Sequence, residues 1–192
     1  MTVTFLTALI FGLVGPSRPP FGAPAQVVDS MFPPAVELAR FRATVDGPPP
    51  TRLDGAPSRD ALIRRFVGAV ERRDQATLSR LLISKAEFAY LFFPASEYAR
   101  APYRQKPGLA WFRMTATSER GLGRLLARDG GRPLPLVGVK CPAPTPVDGR
   151  TRLWKDCRVV VRRDGATVER RLFGSIIERG GRFKFLTYAT EY

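Results

Sequence analysis

Residues 158–170 read RVVVRRDGATVER and predict the centre of the fold. Asp164-Gly165, at the middle of this stretch, is a strong signal for a two-residue β-hairpin turn, because both residues readily adopt a positive φ. We therefore predict antiparallel strands on either side of the turn, over residues 152–162 and residues 167–178.

Two further segments extend this hairpin along the chain. Gly180-Gly181 predicts another tight turn, which is followed by a last strand over residues 183–190. Residues 134–141 are predicted as a strand that precedes a turn-rich loop at residues 142–149. Three consecutive hairpins predict a four-stranded antiparallel meander.

A long helix is predicted upstream of the strands, from about Leu109 to Arg128. Gly130-Gly131 end it, since glycine is favoured just past a helix C-terminus. Gly121 and Gly123 weaken it by up to about 1 kcal/mol each relative to alanine. The predicted inner face of this helix comprises Trp111, Phe112, Thr115, Leu122, Leu125 and Leu126.

Two shorter helices are predicted to open the compact domain at Ser58. Ser58 is a good N-cap, and Asp60 lies in the first turn, where the helix dipole favours a carboxylate. Asp74 is the predicted cap of the second helix. Apolar residues at helical spacing form the inner faces of both helices: Leu62, Ile63, Phe66, Val67, Val70, Leu78, Leu81 and Leu82.

For residues 84–93, the sequence does not decide between a helix and a strand. Ser84-Lys85-Ala86-Glu87 has the spacing of a capping box, which favours a helix. The aromatic remainder is apolar enough for a short strand, and Pro94 ends either element. With a loop over residues 95–107, the order of elements predicts an α+β fold, in which helices pack on one face of a curved antiparallel sheet.

The start of the chain reads as a cleavable secretory signal over residues 1–25. Residues 3–15 form an apolar run that suits a signal peptide and is shorter than the roughly 20 residues of a membrane-spanning helix. Ala23-Pro24-Ala25 has the small-x-small pattern of a signal-peptidase site, which predicts cleavage before Gln26. We therefore expect export to a bacterial periplasm or the extracellular space. The alternative is a frayed or buried N-terminal segment.

Residues 26–57 are predicted to be a proline-rich lead-in arm or linker laid on the domain, which spans residues 58–192. Pro33-Pro34 favours a short helix through Phe41, because proline fits the first turn of a helix. Gly47-Pro48-Pro49-Pro50 stops any helix that begins there.

The two cysteines, Cys141 and Cys157, are expected to pair. They flank the turn-rich loop, and an exported protein meets an oxidising compartment in which a disulfide persists. Closing this loop would stabilise the fold by about 3 kcal/mol if chain entropy dominates. The alternative is two separate buried thiols, because pairing depends on the register of the strands.

The chain carries a formal net charge of +14, with 31 lysine and arginine residues against 17 aspartate and glutamate residues. This charge suits an anionic partner such as an envelope polymer. The alternative is an ordinary set of solvated basic faces, because the basic residues are spread along the chain. No motif that reads nucleic acid accompanies them, so we expect no nucleic-acid partner.

The absence of histidine excludes several kinds of chemistry. It removes the usual general base near neutral pH, the Ser-His and Cys-His nucleophile pairs and most transition-metal sites. We expect no cofactor and no metal site. A carboxylate–tyrosine site stays open, with Glu87 and Tyr90 as catalytic candidates and Tyr98 and Glu119 in suitable elements. The alternative is that Glu87 only caps a helix and that Glu119 is solvated.

Aromatic residues concentrate just before and within the long helix. Tyr90, Tyr98, Tyr103 and Trp111 are the candidate ligand-binding residues, because an apolar pocket with a few phenol hydroxyls suits a hydrophobic ligand. The alternative is that these side chains belong to the ordinary core.

The predicted order of elements resembles the NTF2-like (SnoaL-like) superfamily. Residues 66–74, with Leu78 and Leu81-Leu82, resemble the opening of that family, in which a helix ends at an acidic residue. Residues 181–186 resemble its closing strand, and the resemblance covers residues 58–192. It implies a cone-shaped domain with a pocket between the long helix and the sheet, and a homodimer formed through the sheet.

The resemblance implies little about activity, because the family includes enzymes, ligand carriers and non-catalytic subunits. We expect a non-catalytic module that binds a small apolar ligand or a protein partner. One alternative is an isomerase or lyase that uses a carboxylate and a tyrosine in the cone, although the catalytic histidine of such family enzymes is missing. The other is a basic protein that binds an envelope polymer.

Overall fold

The structure is a computed structural model that describes residues 32–189, so the predicted signal at residues 1–25 lies outside the described residues. The fold is α+β, with helices first and antiparallel strands after them. The helices are α1 (Pro34–Arg42), α2 (Arg59–Glu71), α3 (Gln75–Leu81), α4 (Lys85–Glu87) and α5 (Pro107–Asp129). The strands are β1 (Leu136–Lys140), β2 (Thr145–Pro146), β3 (Thr151–Trp154), β4 (Arg158–Arg163), β5 (Ala166–Arg170), β6 (Ile176–Arg179) and β7 (Arg182–Phe185).

The N-caps of α2 and α3 lie where the sequence predicts them. The Ser58 hydroxyl accepts a hydrogen bond from the Ala61 backbone N–H at 3.1 Å. The Asp74 carboxylate accepts one from the Thr77 N–H at 2.9 Å. These bonds satisfy backbone donors that have no partner within the helix, which fixes where each helix begins.

Residues 84–93 are helical, and the capping box at their start is present. After α4 the chain continues as a π-helical turn over Phe88–Phe92 and a 3₁₀ turn over Phe93–Ala95. A helical turn brings Phe88, Leu91 and Phe92, all buried, to one side of the segment, whereas the alternating faces of a strand would put Leu91 on the side opposite the other two. The predicted additional short strand is therefore absent from this segment.

The seven strands of the described region form two antiparallel sheets. One has the order β1-β4-β5, and the other has the order β2-β3-β6-β7. The predicted tight turns are confirmed, since Asp164-Gly165 joins β4 to β5 and Gly180-Gly181 joins β6 to β7. All four turn residues have a positive φ, between 50° and 78°.

The predicted single meander is wrong in one respect, because two of its strands break. The strand predicted over residues 152–162 divides at Asp156, whose φ of 55° lies in the left-handed region. The strand predicted over residues 167–178 divides where Leu172 and Phe173 are both buried, which ends the alternation of faces. Arg171 and Asp156 form an ion pair at 3.2 Å, which joins the two breaks.

The core has two clusters of buried side chains. In the first, Phe66 of α2 lies 5.1 Å from Phe185 and 5.6 Å from Tyr188, measured between ring centroids. In the second, Phe88 lies 5.9 Å from Phe41 of α1 and 5.2 Å from Trp111 of α5. We call these the closed cluster and the open cluster, because the cavity of about 690 Å³ adjoins the second and not the first.

Helix α5 packs through most of the inner face predicted for it and also through small residues. Leu125 and Leu126 are buried and Trp111 packs on Phe88, but Phe112 is 66% exposed, so its predicted place on the inner face is wrong. Gly121 lies so close to the final segment that a Cβ atom would overlap the Tyr188 carbonyl oxygen. Ser118, one turn earlier, accepts a hydrogen bond from the Tyr188 backbone N–H at 2.9 Å.

Candidate ligand-binding site

A cavity of about 690 Å³ lies between the first half of α5, the turns that follow α4, and strands β2 and β3. Two other cavities of the described region are smaller, about 510 and 130 Å³. The wall of the large cavity also includes Ser175, Leu186, Thr187 and Ala189, which lie just beyond the ends of the β6–β7 hairpin.

The inner wall of the cavity is apolar. Phe88 and Phe92, whose ring centroids are 5.9 Å apart, come from the π-helical turn and are both buried. Met114 of α5, Leu153 of β3 and Leu186 complete this surface. Few polar groups lie among them, so the wall favours the apolar part of a ligand.

The rim of the cavity carries cationic side chains from three different elements. They are Arg100 after the 3₁₀ turns, Arg113 on α5 and Lys155 just past β3, and all three are exposed. Within residues 32–189, none of these three side chains makes a hydrogen bond or an ion pair. Glu97 is the single carboxylate among the residues that line the cavity.

Tyr98 is the one residue predicted to bind ligand that lines this cavity. Partial burial is the main reason that the pKa of its phenol is raised, and the nearby Glu97 carboxylate adds to the effect. The hydroxyl of Tyr98 therefore stays protonated at neutral pH and can donate a hydrogen bond.

Tyr103 does not line the cavity; its ring lies 6.2 Å from the Tyr98 ring and is 55% exposed.

Tyr90 and Trp111, the other two predicted ligand-binding residues, lie elsewhere. The Arg42 guanidinium sits over the Tyr90 ring, 4.6 Å from its centroid. Trp111 packs on Phe88 and lines a separate cavity of about 130 Å³, on the side of α5 that faces Leu82 and Ile83. The structure therefore does not bring the four predicted side chains together.

Glu87, the predicted catalytic carboxylate, is buried and fully engaged with protein donors. One of its oxygens accepts from the Asp54 N–H at 2.6 Å. The other accepts from the Ser84 N–H at 2.7 Å and from the Lys184 ammonium at 2.9 Å. These contacts match the capping alternative and leave no free oxygen for proton transfer to a substrate.

Glu119, the remaining catalytic candidate, and the two cysteines predicted to pair lie outside the large cavity. Glu119 is exposed on α5 and lines the smaller cavity. Cys141 and Cys157 lie within disulfide-bonding distance and face each other across β1 and β4, with their Cα atoms 4.2 Å apart. Neither cysteine lines the large cavity.

Several residues of the cavity wall were not among the predicted site residues. Ala110, Met114 and Thr117 recur at helical spacing on α5, so a periodicity analysis that allowed the aromatic face to point outward would find them. Leu153 of β3 and Lys155, just past the end of that strand, also line the cavity. No local signal in the sequence indicates that these two residues belong to a site.

Comparison with known proteins finds no relative of this chain. No family model, no curated protein and no solved structure matches it. Among the helices that the structure describes, none is both long enough and apolar enough to cross a membrane. The properties of the cavity are therefore the basis for a functional assignment.

Proposed function

We propose that this protein is a non-catalytic binding module that holds a small apolar ligand in the cavity between α5 and the β2–β3 strands. The observation that carries the proposal is the cavity itself, about 690 Å³ in volume with an apolar inner wall. Ligand pockets usually have volumes of roughly 300–1,000 Å³ and combine apolar walls with a few polar groups.

The state of the titratable groups supports binding rather than catalysis. Glu87 is held by three protein donors, and Tyr90 packs beneath Arg42 instead of beside that carboxylate. The carboxylate that does line the cavity, Glu97, is exposed. A general acid or base works best with a pKa near the operating pH, whereas burial raises the pKa of the lining residue Tyr98 further from neutrality.

An NTF2-like cone is the fold that we propose for this module. Its support is the order of helices before strands, the cavity between the longest helix and a sheet, and the two breaks that curve the strands around it. In such a cone the ligand enters from the side on which Tyr98 and the exposed cations lie.

Filling the cavity tests this proposal. N-phenyl-1-naphthylamine, a neutral apolar dye that fluoresces in apolar surroundings, is titrated into the purified protein. We expect saturable binding at one site, weakened at least about tenfold by Thr117→Trp, because an indole at this position occupies space that the dye needs.

Ala116→Trp is the matched control, since Ala116 is the next residue on α5 and does not line the cavity. Thermal unfolding of both variants separates loss of binding from loss of fold. Binding that is not saturable in the unmodified protein, or that is equal in the two variants, would contradict the proposal.

A further inference from the structure

We propose that the ligand of this cavity is an amphipathic anion, with a carboxylate or phosphate headgroup on an apolar body, and that Arg113, Lys155 and Arg100 hold the headgroup. This inference rests on the proposed function and adds to it the chemical class of the ligand. It concerns the rim of the cavity, whereas the proposed function concerns the inner wall.

The first support is that one cavity is lined by three cations with no described partner. Several basic side chains of the strands and nearby loops pair with carboxylates, although Arg162 of β4 and Arg182 of β7 pair with none in the described region; the pairs are Lys140–Glu169, Arg152–Glu178, Arg170–Asp129, Arg171–Asp156, Arg179–Asp148 and Lys184–Glu87. At the cavity rim, no described residue pairs with Arg100, Arg113 or Lys155. Three positive charges there face one carboxylate, Glu97.

The second support is where the charges lie relative to the apolar wall. Arg113 is adjacent to Met114 on α5, and Lys155 follows two residues after Leu153. Each cation therefore borders an apolar residue that lines the same cavity. A ligand with its apolar body against the inner wall has its polar end at these side chains.

The solvent exposure of the rim limits how strongly the cavity should prefer an anionic ligand over a neutral one. The headgroup keeps part of its hydration, so binding does not require complete desolvation of an ion. Because exposed charge pairs are individually weak, about fivefold or less each, an anion gains affinity from the set rather than from one contact. A neutral ligand of the same shape still binds, and a cationic one is repelled.

Arginine recognises carboxylate and phosphate equally well, because its planar guanidinium donates two parallel hydrogen bonds to either group. The protonated phenol of Tyr98 can donate one more. The shared chemistry is therefore a compact oxyanion on an apolar chain, and the two headgroups are compared directly in the test.

The experiment uses four probes with one ten-carbon chain: decanoate, decyl phosphate, 1-decanol and decylamine. Each is titrated into the purified protein by calorimetry at low salt and again at high salt. We expect one of the two anions to bind at least about tenfold more tightly than decanol, and decylamine to bind most weakly. The advantage of the anion over decanol should shrink as salt is added.

Variants of the rim residues then test which side chains cause the preference for the anionic headgroup. Arg113→Gln and Lys155→Gln should each weaken binding of the preferred anion by about fivefold and leave decanol binding unchanged. Arg64→Gln is the matched control, because it removes the same charge from an exposed position of α2 that lines none of the described cavities.

The outcomes separate this inference from the proposed function. If decanol and the anions bind equally, or if the rim variants bind the preferred anion as the Arg64→Gln control does, the headgroup assignment is wrong and the apolar site stands. If no probe binds, both fail. The comparison among probes uses the unmodified chain, so it decides the question even if a variant does not fold.

Discussion

The closed and open clusters are built from similar side chains, yet the cavity of about 690 Å³ is lined by members of the open cluster and by none of the closed cluster. In the closed cluster, the rings of Phe66, Phe173, Phe185 and Tyr188 lie between 4.7 and 5.6 Å apart. In the open cluster, Phe88 and Phe92 have ring neighbours on one side and the cavity on the other. Aromatic content alone therefore does not decide whether a region of the fold is packed.

The difference arises along α5, which contributes to both regions. In its second half, Ser118 and Gly121 let the Tyr188 backbone approach the helix directly. In its first half, the larger side chains of Arg113, Met114 and Thr117 line the space between the helix and the strands. Small residues in the second half of α5 thus allow the final segment to pack directly against the helix.

The largest expected loss of stability comes from breaking the buried ion pair between Glu87 and Lys184, which lies next to the turn that carries Phe88 and Phe92. Glu87→Gln leaves the Lys184 ammonium without its carboxylate, and only 6% of that lysine side chain is exposed. Loss of one partner of a buried ion pair costs about 3 kcal/mol. Urea denaturation should show this loss.

Glu169→Gln is the control for the Glu87 variant, because it removes the same type of charge from an exposed pair with Lys140. We expect the stability of this control to match that of the unmodified protein. Equal stability of all three proteins would show that Glu87 does not anchor the turn that carries Phe88 and Phe92.

The next largest effect on stability is expected from a substitution that disturbs the close approach of Gly121 to Tyr188 in the closed cluster. Gly121→Ala forces a methyl group against the Tyr188 carbonyl, and overpacking of this kind costs about 2 kcal/mol. Gly123→Ala places the same group two residues further along, where nothing lies within 4 Å. It should raise stability by up to about 1 kcal/mol through helix propensity.

Thermal unfolding of the two alanine variants measures the contrast. Opposite shifts in Tm are expected, downward at Gly121 and upward at Gly123. Two upward shifts would mean that the helix and the final segment can separate without loss, and that the closed cluster is not defined by this contact.

The smallest expected effect on stability concerns Asp129, the last residue of α5. Burial alone would raise the pKa of this carboxyl, but hydrogen bonds from Arg170 and Arg128 outweigh it and hold the pKa below its ordinary value of 3.8. A carboxyl with a lowered pKa stabilises the fold above its unfolded-state pKa. That contribution is lost as the pH falls through the folded-state value.

Asp129→Asn removes this titration. The Tm difference between the unmodified protein and the variant should therefore be present at pH 7 and shrink below about pH 4. A difference that stays constant between pH 7 and pH 3 would show that the Arg170 ion pair contributes no pH-dependent stability.

Much of the fold was predictable because its signals are local. Ser58 and Asp74 cap helices through bonds to residues three positions away, and Asp164-Gly165 makes a turn from its own backbone preferences. Cys141 and Cys157 lie within disulfide-bonding distance, as the prediction of a pair requires, because the β1–β4 register continues to place them opposite each other. The secretory signal at residues 1–25 stays a prediction.

The site was harder to predict because its determinants are not local. Phe112 has the apolar character of an inner-face residue but lies in solvent, and the contact of Gly121 with Tyr188, 67 positions away in the chain, has no local signal. The break at Asp156 likewise involves a distant residue, because Asp156 forms an ion pair with Arg171, just past the end of β5. Of the predicted ligand-binding residues, Tyr98 lines the cavity, whereas Tyr103 of the same loop does not.

The exposed rim has a consequence for how this protein can diverge. Arg100, Arg113 and Lys155 make no described contact that the fold relies on, and surface changes of this kind usually alter stability by less than about 0.5 kcal/mol. Under selection, these positions can exchange charge or size while Glu87 and Gly121 stay fixed. Under the proposed function, we expect proteins that differ at these positions to bind chemically different ligands in a cavity of the same architecture.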